Sequence, residues 1–161
     1  MTDDKFNECV DALTDALFRF VHKNVRDVQS AEDIVQESFA RLWQMRGKVR
    51  YESCRSYLFT VAYRLIIDRS RRLRHASAAE IETLAGVGVE SAYSDLNQTL
   101  SRAFDGLKEE WKSLVMLRDW EGYSYEEIAA ITGMSLSSVK VGIFRARTEL
   151  RRRLGRLDDI I

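Results

Sequence analysis

Apolar residues return at steps of three and four along nearly the whole chain, and nowhere do they alternate with polar ones for long enough to make a strand. The pattern predicts an all-α protein. Phe6, Val10, Leu13, Leu17 and Val21 form one stripe, and Ile34, Val35, Phe39, Leu42 and Trp43 a second. Leu58, Val61, Ala62, Leu65 and Ile66 form a third, enough to close a small bundle. Ser30, three residues before Asp33, reads as a capping-box-like start for the second of these helices, and Ser53 or Ser56 as a cap for the third.

Beyond His75 the periodicity is lost in "HASAAEIETLAGVGVESAYSD", which is rich in small residues. We read residues 76–95 as a flexible linker between two small helical domains, 1–75 and 96–161. Such a linker spans about 70 Å fully extended and about 25 Å as a coil, one to two turns of DNA. After it, Leu96, Leu100, Ala103, Phe104 and Leu107 predict a fourth helix, and Trp111, Leu114, Val115 and Arg118 a fifth.

The stretch "SYEEIAAITGMSLSSVKVGIFRAR" is the most specific local signal. Ser124 and Glu127 have capping-box spacing, Gly133 supplies a left-handed stop, and Ser135 caps a restart whose first turn is Leu136, Ser137 and Ser138. A helix, a three-residue turn and a second helix follow. Ile128, Ala129 and Thr132 would pack on Val139, Ile143, Ala146 and Leu150. Ser137, Ser138, Lys140, Val141, Phe144, Arg145 and Thr148 are left outward. Hydroxyls and cations at the start of the second helix suit a helix-turn-helix in a major groove; a plain helical hairpin is the competing reading.

Charge sharpens that picture. The chain carries 25 basic and 25 acidic side chains, yet they are segregated. Arg64, Arg69, Arg71, Arg72 and Arg74 form one basic block, and Lys140, Arg145, Arg147, Arg151, Arg152, Arg153 and Arg156 another, with an acidic middle between them. Local fields attract a polyanion regardless of net charge, so two anion-facing surfaces are expected. No run approaches the roughly 18 apolar residues of a membrane span, and the acidic N-terminus does not resemble a secretory signal, which predicts a cytoplasmic protein without membrane insertion. Cys9, Cys54, His22 and His75 stand apart in the sequence without metal-ligand spacing, so no metal and no cofactor are expected. No nucleophile with a base, phosphate-binding glycine loop or carboxylate pair beside a histidine occurs at suitable spacing, so no enzyme is predicted.

"GYSYEEIAAITGMSLSSVKVGIFRARTELRRRL" resembles region four of the extracytoplasmic-function sigma factors of bacterial RNA polymerase. "SAEDIVQESFARLW", residues 30–43, resembles the core-binding helix of region two, and "SYLFTVAYRLIIDRSRR", residues 56–72, its promoter-melting helix. The resemblance implies an initiation factor that binds core polymerase through the clamp helices of the largest subunit and the flap of the second-largest, engages promoter DNA, and has an anti-sigma factor as a candidate partner. It assigns Asp33, Gln36, Glu37, Phe39 and Trp43 to polymerase, although for Phe39 and Trp43 a place in the core is the favoured reading. It assigns Tyr57, Tyr63, Arg64, Arg69, Arg71, Arg72 and Arg74 to the minus-ten element, where rings stack on exposed bases and arginines follow phosphates; Tyr57 fits a core equally. Ser135, Ser137, Ser138, Lys140, Arg145, Arg147 and Thr148 fall to the minus-thirty-five element.

The chain departs from the family pattern in three places. Arg64 replaces an asparagine, "LKEEWK" replaces "LPPRQR", which predicts a continuous or kinked helix there, and Lys140-Val141-Gly142 replaces Lys-Ser-Arg. Recognition of the minus-thirty-five element is therefore expected to be shifted or weakened. A dimeric helix-turn-helix regulator that binds DNA without polymerase, and a sigma-shaped decoy for an anti-sigma protein, are the rival readings.

Overall fold

Thr2 opens the first helix by accepting the Lys5 amide on its hydroxyl at 3.2 Å, and Asp3 and Asp4 put carboxylates on the positive end of the dipole. This helix, α1 (Asp3–Val25), ends at Arg26, whose left-handed backbone (φ 63°) turns its amide back to the His22 carbonyl. Then come α2 (Val28–Gln44), a 3-10 turn (Tyr51–Ser53) and α3 (Cys54–His75). The structure is a computed structural model that describes residues 1–76 and 95–158, with side chains for 98–155 of the second stretch. Residues 77–94 of the expected linker, and the side chains of Leu96 and Arg156, lie outside the described residues. The described residues fall into two compact units, and every regular element among them is helical.

In the first unit the three helices pack on one another around Leu17, Phe20, Leu42, Leu58, Phe59 and Ile66, all fully buried. Phe20 and Phe59 meet edge-on, their centroids 5.2 Å apart. Phe6, Val10 and Leu13 of the first stripe are only half-buried; the deep row of α1 runs through Cys9, Leu17, Phe20 and Val21. α2 starts earlier than Ser30. Asp27, in extended backbone, accepts the Ser30 amide at 3.0 Å and the Ser30 hydroxyl on the same oxygen, so Ser30 serves a cap three residues upstream instead of being one. Ser53 occupies the cap position of α3 without making a capping bond there.

The two cysteines, distant in sequence, are neighbours in this core. Burial first, then a hydrogen bond with Cys54, pushes the Cys9 thiol up to about 12, so it stays protonated near neutral pH.

The second unit contains α4 (Asp95–Asp105), α5 (Glu109–Val115) running into a π-helical segment (Met116–Trp120), α6 (Tyr125–Thr132) and α7 (Leu136–Asp158). The "LKEEWK" stretch does not give a continuous helix. Gly106–Lys108 separate α4 from α5, with the Gly106 amide closing on Arg102 and that of Leu107 on Phe104. Glu109 and Glu110 then favour a fresh helix start at the positive end of its dipole. Wider i→i+5 bonding ends the π segment, where the Glu121 amide reaches the Met116 carbonyl at 2.9 Å.

α7 is held against α5 by a close approach. A Cβ placed on the buried Gly142 would lie 2.5 Å from Cδ1 of Leu114, inside any real carbon–carbon contact. Glycine at this position thus spares Leu114 a shift, while costing the helix about 1 kcal/mol of propensity relative to alanine.

Candidate nucleic-acid interface and polymerase-binding face

The predicted turn is built from the residues that announced it. The Ser124 amide donates to Glu127 and the Glu127 amide to the Ser124 hydroxyl, both at 3.1 Å, a reciprocal capping box. Gly133 takes a left-handed φ of 76° and returns its amide to Ala129 at 2.9 Å. Ser135 caps α7 by accepting the Ser138 amide at 3.1 Å, and its own hydroxyl donates to that of Ser138. The axes of α6 and α7 turn through 103°, within the range of helix-turn-helix pairs.

Val139, Gly142, Ile143 and Ala146 form the buried row of α7 and fix its rotation. At 100° per residue the opposite face is a ridge of Ser137, Val141, Phe144 and Thr148. All four are exposed, Val141 by 46% and Phe144 by 68%. Lys140 and Arg151 flank this ridge on one side, with Ser138, Arg145 and Arg152 on the other, and all five are exposed. A pocket of about 320 Å³ opens along the second side, lined by Trp111, Met134, Val141 and Arg145 among others.

Not every cation of this block is equally available. Arg147 is only half-exposed and donates to both carboxylate oxygens of Asp119 in the π segment, at 2.5 and 3.3 Å. That pairing raises the guanidinium pKa further and answers its charge. Arg152 and Arg153 both bind Glu149, whose carboxyl is held down to about 2 by hydrogen bonds first from Arg152 and then from Arg153. The Thr148 hydroxyl donates to the Phe144 carbonyl at 2.8 Å, leaving its oxygen as an acceptor.

On α3, Arg64, Arg71, Arg72 and Arg74 are exposed, and Tyr57 and Arg69 half-exposed. Seven-residue steps place Tyr57, Arg64 and Arg71 on one face. Arg69 lies close enough to Asp27 to help lower that carboxyl. Tyr63 is a correction: it is 6% exposed, in the row of Phe59, Ala62 and Ile66 that faces α1 and α2, so its ring is not offered to a base.

On α2, Asp33, Gln36 and Glu37 are exposed, and Glu37 already accepts Arg41 Nε at 2.9 Å. Phe39 is half-buried. Trp43, 39% exposed, packs edge-on against Phe6 at 5.0 Å while the Arg46 guanidinium lies 3.7 Å above its ring, which places it at the rim of the core.

The helical pattern places Val141 and Phe144 outward, as they are, but gives these apolar side chains no role; Asp119 has no sequence signal, since it lies on another element from the arginine it binds. Among the described residues no three His, Cys, Asp or Glu side chains form a metal cluster, and no single helix is long and apolar enough to cross a membrane.

Two family descriptions match the chain, Sigma-70 region 2 over residues 9–76 and Sigma-70 region 4 over residues 97–150. The RNA polymerase sigma factor YlaC of Bacillus subtilis is 30% identical, over 94% of this chain and 91% of its own length. The ECF RNA polymerase sigma factor SigE of Mycolicibacterium smegmatis is 31% identical over 91% of this chain, which spans 60% of that protein. Among solved structures, the sigma factor RpoE in complex with the anti-sigma factor NepR, from Bartonella quintana, is similar with a TM-score of 0.73 and 26% identity. That match covers 93% of this chain and 96% of RpoE.

Proposed function

This chain belongs to the extracytoplasmic-function group of the sigma-70 family of RNA polymerase initiation factors, and we propose that its two helical units divide the work between polymerase and promoter. The function is promoter-specific transcription initiation with core polymerase. The exposed carboxylates of α2, Asp33 and Glu37, with Gln36 beside them, dock on the clamp helices of the largest subunit, and Trp43 contributes its exposed edge. Glu37 exchanges Arg41 for a cation on the polymerase, a swap that costs little because exposed pairs contribute only about 0–1 kcal/mol.

α3 faces the minus-ten element with Tyr57, Arg64 and Arg71 on one line and Arg72 and Arg74 towards its end. Arg69 is shared with Asp27. The second unit takes the minus-thirty-five element with the ridge of α7, and meets the flap of the second-largest subunit elsewhere on its surface. Each unit alone is a modest binder; joined in one chain and fixed by polymerase, the second contact forms at an effective concentration of around millimolar. The role is binding rather than catalysis, in the cytoplasm, and an anti-sigma protein is a candidate regulator because the similar RpoE structure contains one.

The observation that carries this reading is the ridge of α7, opposite the buried row and bordered by exposed cations on both sides. Run-off transcription with sigma-free core polymerase on a promoter library tests it. Discrete transcripts that depend on the added chain are expected, and none from any template would reject the proposal.

A further inference from the structure

The outward ridge of α7 has an unusual chemistry for a surface meant to read DNA. Its two central members, Val141 and Phe144, have no hydrogen-bonding group on their side chains, yet they are among the most exposed large apolar residues of the described chain. Their exposure is forced by the inner face. Val139, Ile143 and Ala146 are buried and Gly142 lies against Leu114, so rotating the helix to hide them would expose that row. The polar members sit further out, Ser137 before them and Thr148 after. The cations lie to the sides, where the phosphate walls of a major groove about 12 Å wide would meet them.

On the floor of the major groove, the thymine C5-methyl is the apolar group that distinguishes one base pair from another. Setting Val141 and Phe144 against the amino and carbonyl edges of a G·C pair would strip those groups of water without replacing their hydrogen bonds. Three residues of helix rise about 4.5 Å, against about 3.4 Å per base pair, so the two side chains fall over neighbouring pairs. We propose that Val141 and Phe144 are specificity-determining residues that read thymine methyl groups on adjacent base pairs of the minus-thirty-five element. Lys140 and Arg145 hold the flanking phosphates. This inference rests on the assignment of α7 to that element and deepens it by naming the chemical feature recognised.

The test uses the full chain with sigma-free core polymerase. Templates are first selected by run-off from a pool randomised over six base pairs at the minus-thirty-five position. The strongest is then remade with deoxyuridine for thymidine in that element, one strand at a time, which removes only methyl groups. Holoenzyme binding to each duplex is titrated by footprinting. Loss of affinity of about fourfold per contacted methyl is expected, the factor that corresponds to one buried methylene. Val141→Ser and Phe144→Ala should each bind thymine and uracil duplexes with smaller differences than the parent chain. Replacing a cytosine at the same position by 5-methylcytosine should recover affinity for the parent chain. Equal binding of uracil and thymine duplexes, or a selected element without A·T pairs, overturns the methyl reading while run-off itself upholds the initiation function. Absence of run-off from every template overturns both.

Discussion

Gly142 of α7 faces Leu114 of α5 so closely that an added methyl would lie 2.5 Å from the leucine Cδ1. Leu114 is fully buried, so its end cannot swing into solvent to make room. Gly142→Ala gains about 1 kcal/mol of helix propensity and meets an overpacking cost of about 1–3 kcal/mol, for a net loss of about 1 kcal/mol. Urea denaturation of the full chain, followed by the fluorescence of Trp111 in a background with Trp43 and Trp120 replaced by phenylalanine, measures it. Leu114→Val in the same chain should relieve part of the clash, giving a favourable coupling in a double-mutant cycle. Stabilisation by Gly142→Ala alone would show that the contact is not tight.

Lys140 and Arg145 are exposed beside the ridge, whereas Arg147 is bound through two oxygens to Asp119. Counterion release weights only charges that neutralise phosphate, so the three cations should differ. Lys140→Ala and Arg145→Ala should each flatten the dependence of promoter affinity on salt by about one unit of log–log slope. Arg147→Ala should change it by much less, because Asp119 already answers that charge. Asp119→Asn should release Arg147 and steepen the slope. Salt titrations of holoenzyme binding decide this, and an Arg147→Ala effect equal to that of Arg145→Ala would mean that the pair with Asp119 opens on DNA.

What the sequence revealed divides by the range of the interaction. The helix-turn-helix was legible because each of its parts is local: Ser124 answers Glu127, Gly133 answers Ala129 and Ser135 answers Ser138. The start of α2 was misplaced because two residues compete for the same role, and the carboxylate of Asp27 captures Ser30 before Ser30 can cap anything. Tyr63 was misread although its step of four from Phe59 and three to Ile66 marks it as a core residue; its ring suggested chemistry where periodicity indicated packing. Nothing local could disclose that Cys9 meets Cys54, that Arg147 meets Asp119 or that Gly142 meets Leu114. Each pair joins separate elements, and the glycine in particular reads as a helix weakness until its neighbour is seen.

Asp33 and Glu37 stand one turn apart on the exposed face of α2, and Glu37 pairs with Arg41 on the same helix. Reversing both charges with Asp33→Lys and Glu37→Lys should abolish co-purification with core polymerase while leaving the helical spectrum native, since exposed pairs of this kind hold about 1 kcal/mol at most. Arg41→Ala should leave co-purification intact or strengthen it by freeing Glu37. Retained binding by the doubly reversed chain, with a native spectrum, would place the polymerase surface elsewhere.

The cap at Asp27 makes part of the acid stability of the first unit depend on one carboxyl. The hydrogen bond from the Ser30 hydroxyl, more than any other influence, lowers the Asp27 pKa below its ordinary value of 3.8, with smaller help from the Ser30 amide and from Arg69. A carboxyl whose pKa is lower folded than unfolded contributes stability that is fully present above the unfolded value and is lost as pH falls through the folded one. The Asp27 contribution should therefore hold at neutral pH and fade below about pH 4. Asp27→Ala removes the cap and should cost about 0.5–2 kcal/mol at neutral pH. Asp27→Asn keeps a good capping oxygen without a titrating charge, so it should remain closer to the parent at pH 7 and lose less stability on acidification. Thermal unfolding of the full chain from pH 7 to pH 3 separates the two effects. Parallel pH profiles for the parent and the asparagine variant would mean that the charge of Asp27 has no part in holding α2 in place.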